Sequence, residues 1–222
     1  MRRRTWWILG GGLALVVLAL VAGPLIYAAL DEDAPPAPTV QAQPEDAQLS
    51  AETAGTWTVA PGSSAGYRVD EVLNGVDNTV AGTTDQVSGS VVVDDSGALA
   101  SAEVVVDIAS VATDNGRRDG YFRDNVMDVG QFPTATFAVT GPVELPELTG
   151  TPVTIPLTGQ LTVKGTTREV ATELSAVRTP EGVEVSGSVP VTFADHGVEP
   201  PSLGFVRVED AGAVEFLLRL TR

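Results

Sequence analysis

The sequence predicts an all-β, antiparallel domain of about eight strands, preceded by one transmembrane helix. Three observations carry this. Runs of alternating apolar and polar residues recur from Gly55 onward. Turn-forming clusters separate those runs. An uncharged stretch from Trp6 to Leu30 follows Arg2, Arg3 and Arg4. Alternation with one buried and one wet face is the habit of antiparallel sheets.

The N-terminal stretch comes first. About 25 residues at 1.5 Å rise span about 37 Å, enough to cross a hydrocarbon core of roughly 30 Å with some tilt. Asp31, Glu32 and Asp33 close the run. The positive flank predicts a cytoplasmic N-terminus and an extracytoplasmic C-terminal domain, hence a single-pass cell-membrane protein. Trp6 and Trp7 fall where an interfacial aromatic belt is expected. A cleaved signal peptide is the competing reading. The apolar run exceeds the usual h-region, and Pro24 and Tyr27 give no clean small-x-small site, which favours an uncleaved anchor. Residues 1–30 are therefore read as basic start and anchor.

Residues 31–54 read as a linker. Pro35, Pro36, Pro38 and Pro44 stiffen it, six acidic residues extend it, and it has too few apolar residues to pack. At about 3 Å per residue it spans up to roughly 70 Å.

The domain occupies 55–222. Ala65, Tyr67 and Val69 share one face; Val87, Val91 and Val93 another; Ile155, Leu157, Leu161 and Val163 a third. Val183, Val185, Val189, Val191 and Phe193 form one apolar row, and Val214, Phe216, Leu218 and Leu220 the last. Asp94-Asp95-Ser96-Gly97, Lys164-Gly165, Pro180-Glu181-Gly182 and Asp210-Ala211-Gly212 read as turns. The inward residues are mostly small, so pattern alone fits either a sandwich filled by interdigitating valines or a barrel with an apolar cavity.

The longest connection lies between a strand holding Val104, Val106 and Ile108 and one holding Ala135, Phe137 and Val139. It exceeds what a hairpin needs, which argues for a functional loop or lid. Asp114 or Asn115 can cap a short helix carrying Tyr121 and Phe122, and Pro133 restarts extended chain.

Composition excludes several functions. The chain has no cysteine, one histidine and a net charge of −16. Without Arg2 to Arg4 it carries about −19, which argues against nucleic acid and against a polybasic grip on lipid. His196 beside Asp195 has no serine or cysteine nucleophile at a recognisable spacing and reads better as a turn residue than as a base. The acidic clusters lack calcium-loop spacing and read as solvated turns. No enzyme, metal or cofactor is expected.

Several segments together resemble the YceI-like family of lipocalin-like, polyisoprenoid-binding proteins. They are Ser63-Ser64-Ala65-Gly66-Tyr67-Arg68-Val69; the run Val104 to Ile108 followed by Ser110-Val111 and Thr113; Arg118-Asp119 with Tyr121-Phe122 and Met127-Asp128; Phe132-Pro133-Thr134-Ala135-Thr136-Phe137; and Gly159-Gln160-Leu161-Thr162-Val163-Lys164-Gly165. The resemblance covers about Trp57 to Leu220. It implies an extended antiparallel eight-stranded lipocalin-like barrel, with a short helix in the long loop and an apolar pocket for an isoprenoid or quinone-like lipid. Two departures stand out. Asp70-Glu71 replaces a basic or histidine-containing segment, and Asp195-His196-Gly197 a D-F-G-like triplet. An acidic mouth disfavours a phosphate head group.

On that resemblance, the pocket and its mouth are assigned to Tyr67, Val69, Val104, Val106, Ile108, Arg118, Tyr121, Phe122, Phe132, Phe137, Leu161, Phe193 and Phe216. Simpler readings stand beside these. Arg118-Asp119 can be a local ion pair that orders the loop, the loop aromatics a satellite core, and the Tyr67 phenol can bond backbone. The expected function is an extracytoplasmic, membrane-tethered carrier or sequestering protein for an isoprenoid or other long-chain lipid. The alternative is a filled β-domain acting as a surface interaction or stress-related module. Edge strands leave a homodimer open.

Overall fold

Alternating segments become strands here because each has a neighbour to complete its hydrogen-bond ladder. The computed structural model describes residues 34–73, 75–202 and 204–222. The transmembrane helix expected at 6–30 lies outside the described residues. Among the described residues, no helix is long and apolar enough to cross a membrane.

The strands are β1 (Gly55–Val59), β2 (Ser64–Leu73), β3 (Val76–Thr84), β4 (Val87–Val93), β5 (Leu99–Asp107), β6 (Thr134–Val143), β7 (Val153–Val163), β8 (Thr166–Arg178), β9 (Val183–Thr192) and β10 (Val206–Thr221). All neighbours pair antiparallel. β1 and β2 run along the same edge of β10, with Val59 opposite Leu220 and Ser64 opposite Leu217. They act as one bent strand, broken near Gly62. β3 and β4 form the second bent strand, pairing β2 and β1 respectively. The result is a closed eight-stranded barrel.

Turn chemistry sets the hairpins. Lys164 and Gly165 both have positive φ between β7 and β8, the geometry of a two-residue type I′ hairpin. The Asp94 carboxylate accepts from the Ser96 amide and hydroxyl and the Ala98 amide, and these bonds, led by the Ser96 hydroxyl, hold its pKa below the usual range. The expected turn at Asp210-Ala211-Gly212 does not form. β10 runs straight through it, with an irregularity between Val208 and Gly212 against β2. A bulge absorbs the extra residues and bends the strand, as turn-like sequence inside a long barrel strand often does.

The 108–133 connection folds as expected around a short helix, α1 (Gly116–Tyr121). Asn115 caps it by accepting from the Arg117 and Arg118 amides. A wider π-type turn (Phe122–Met127) follows and ends at Asp128 in the left-handed region.

The linker differs from its expected extended, unpacked state. Its described part lies on the barrel. The Val40 amide donates to the Ser186 hydroxyl, Gln43 to the Gly150 carbonyl, and Ser50 to the Thr179 carbonyl. Val40 is buried although the segment is polar overall. Backbone donors, which composition does not register, make these attachments.

Candidate functional site

Parity along the strands sends small aliphatic side chains inward, and they line a wall instead of meeting at a centre. The outcome is an apolar cavity of about 1480 Å³ running through the barrel. Drug-sized ligands occupy pockets of roughly 300–1,000 Å³, so this space suits a longer chain. It also removes the sandwich filled by valines.

The aromatic rings leave the lumen open because glycines receive them. Phe216 sits opposite Gly187 in the β9–β10 register, and a Cβ on Gly187 would come within 2.7 Å of its ring. Phe137 lies over Gly159, where a Cβ would come within 2.5 Å. Each ring lies against a neighbouring strand, where a side chain would have forced it into the cavity.

Every pocket residue assigned from the sequence lines this cavity except Phe132. The Phe132 ring instead packs against Gly165, at the β7–β8 turn. Gly165 has φ +72 and no side chain, so the ring settles on it outside the lumen. Other lining residues went unassigned: Trp57, Glu71, Val91, Leu99, Leu145, Leu148, Arg178 and His196 among them. Glu71 was within reach of the pattern, since it continues the row Ala65, Tyr67, Val69.

The mouth lies between α1 and the residues Pro200, Pro201 and Phe205, where Tyr121 is 39% exposed and Phe205 59% exposed and both still line the cavity. Inside it, Tyr67 stacks on Phe122 with ring centroids 4.8 Å apart. Burial pushes the Tyr67 phenol up to about 12, with Arg118 pulling down and Asp119, Glu71 and Asp114 pushing up. The phenol makes no hydrogen bond to any described residue. Arg118 reaches Asp114 at 2.5 Å and Glu71 at 3.7 Å. The local Arg118–Asp119 pair does not form: Asp119 turns away and accepts from the Thr113 amide and hydroxyl at 2.9 and 2.7 Å. Asn78 donates to Glu71 at 3.1 Å. His196 is buried, with its Nδ1 3.1 Å from the Thr166 carbonyl, which ties the 193–197 turn to β8.

At the opposite end the linker makes the floor. Ser50, Ala51 and Thr53 line the cavity there. The Arg178 guanidinium donates to the Leu148, Ser50 and Glu52 carbonyls, and Trp57 Nε1 donates to the Thr53 carbonyl at 3.1 Å. Among the described residues, no group of three or more His, Cys, Asp or Glu side chains is placed to hold a metal ion.

The YceI-like domain model matches residues 57–220, most of the chain. The chain belongs to the YceI-like family. Two solved structures share the fold. One is a polyisoprenoid-binding domain from Saccharophagus degradans implicated in plant cell wall breakdown, at 19% identity and TM-score 0.58, covering 75% of this chain and 97% of that one. The other is BcnA of Burkholderia cenocepacia, at 19% identity and TM-score 0.60, covering 74% and 99%. No curated protein matches the chain in sequence. The matched segment covers β2 to β9 and most of β1 and β10, and the linker floor lies N-terminal to it.

Proposed function

We propose that this protein is a membrane-tethered, extracytoplasmic carrier or sequestering protein that holds an isoprenoid or similar long lipid chain inside its barrel. The observation that carries this is the apolar cavity of about 1480 Å³ lined by β-strand side chains from end to end. Each buried methylene contributes about 0.8 kcal/mol, so a long chain gains affinity from area and shape, and few polar contacts are needed to orient it. The polyisoprenoid-binding domain of the same fold supports the choice of ligand. Tethering rests on the apolar run at 6–30 and its basic flank. A binding role also fits the polar inventory of the cavity. His196 has a structural partner in Thr166, and the remaining polar side chains gather near the two ends.

Lipid extraction tests the reading. The full chain purified from a membrane-containing host is expected to carry about one lipid per protein, identified by native mass spectrometry and organic extraction. Protein free of lipid that also takes up no added polyprenol or quinone would overturn it.

A further inference from the structure

We propose that the mouth end of the cavity is a head-group site that selects a neutral, hydroxyl-bearing head over a phosphate. This rests on the lipid-carrier reading and adds the chemistry of the head. Two guanidiniums line the cavity at this end, Arg117 on the exposed side of α1 and Arg118 deeper, and Arg118 already meets Asp114 and Glu71. A phosphate seated beside Tyr67 would set its charge against the Glu71 carboxylate, whose guanidinium partner is already engaged.

Tyr67 and Glu71 both line the cavity inside this mouth, and they differ in kind. Tyr67 lines the cavity, and its hydroxyl, which is not sealed from open space, has no hydrogen-bond partner among the described residues. It can donate to an oxygen of the head. Glu71, 6% exposed, also lines the cavity. Its Oε1 faces Asn78 and Arg118, and its second oxygen makes no hydrogen bond to a described residue. That oxygen accepts only, so it calls for a donor, and an alcohol, phenol or quinol hydroxyl supplies one. One hydroxyl can accept from Tyr67 and donate to Glu71, whereas a phosphate dianion can only accept. The Phe122 ring, stacked on Tyr67, holds the phenol in place and marks where the apolar chain begins.

The test is competition against a fluorescent apolar probe, using the full chain in an uncharged detergent at neutral pH, with decaprenol, decaprenyl phosphate and squalene as competitors. Decaprenol is expected to bind at least tenfold more tightly than decaprenyl phosphate. Glu71→Gln, which keeps the shape and removes the charge, is expected to bring the two within about threefold. Tyr67→Phe is expected to weaken decaprenol towards squalene, and it serves as an independent check should the Glu71 variant not fold. Equal binding of all three competitors, or tighter binding of the phosphate, overturns the head-group proposal and leaves the carrier reading standing. Failure of all three to bind overturns both.

Discussion

Phe216 on β10 lies face to face with Gly187 on β9, and the absence of a side chain at Gly187 is what keeps the ring against the wall. A Cβ there would meet the Phe216 ring at 2.7 Å and Leu174 at 2.8 Å. Gly187→Val should therefore drive Phe216 into the lumen and reduce lipid capacity. An overpacked site of this kind costs about 1–3 kcal/mol, so the variant should still fold. Lipid stoichiometry alongside denaturant unfolding checks this. Unchanged lipid loading would show that the ring does not bound the ligand space.

The stack of Tyr67 on Phe122 lies just inside the mouth, where both rings line the cavity. Such a pair contributes about 0.5–1.5 kcal/mol beyond area burial. Phe122→Ala is expected to speed lipid release by roughly three- to tenfold on that basis. Phe132→Ala provides the contrast, because Phe132 packs on Gly165 outside the cavity. It should lower stability and leave the release rate alone. Stopped-flow transfer of a fluorescent lipid to acceptor vesicles measures both.

Arg178 latches the linker to the floor. It is 8% exposed and donates to three carbonyls, those of Leu148, Ser50 and Glu52. Arg178→Ala should cost about 2–3 kcal/mol, since carbonyls held by a charged donor lose their partner. Hydrogen exchange should rise at the Ser50 amide, which bonds the adjacent Thr179 carbonyl. A variant that unfolds like wild type and keeps Ser50 protected would show that the floor stands without the latch.

Alkaline stability follows from Tyr67. Its phenol is raised from 10.0 to about 12 in the folded chain, so the folded state holds a proton that the unfolded state gives up. The stability this contributes is fully present below about pH 10 and is lost as pH rises towards about 12, amounting to about 2–3 kcal/mol. Tyr67→Phe should flatten that part of the pH–stability curve. A wild-type curve with the same slope as the variant's would remove the effect.

Much of the site is legible because strand side chains alternate with a period of two. Tyr67, Val69, Val104, Val106, Leu161 and Phe216 can be placed on the inner face by counting alone. Glu71 follows the same count, but its charge argues against an inward assignment until Asn78 and Arg118 are seen beside it. Phe132 shows the opposite limit. In a loop there is no parity to count, and its apolar character says only that it packs somewhere. Asp210-Ala211-Gly212 shows a third: turn residues in a long strand make a bulge when neighbouring strands hold both ends.

Local pattern alone specified most of the strands and the faces they present, a helix cap at Asp114 or Asn115 and the Lys164-Gly165 hairpin, because each depends on residues a few positions apart. Tertiary structure alone decided that the strands close around empty space, that Phe216 rests on Gly187, that Glu71 and Arg118 share the mouth, and that the linker forms the floor. Those relations join distant parts of the chain, as Arg178 does in reaching 128 residues back to the Ser50 carbonyl. They arise from backbone register and close approach, which no local pattern of hydropathy encodes.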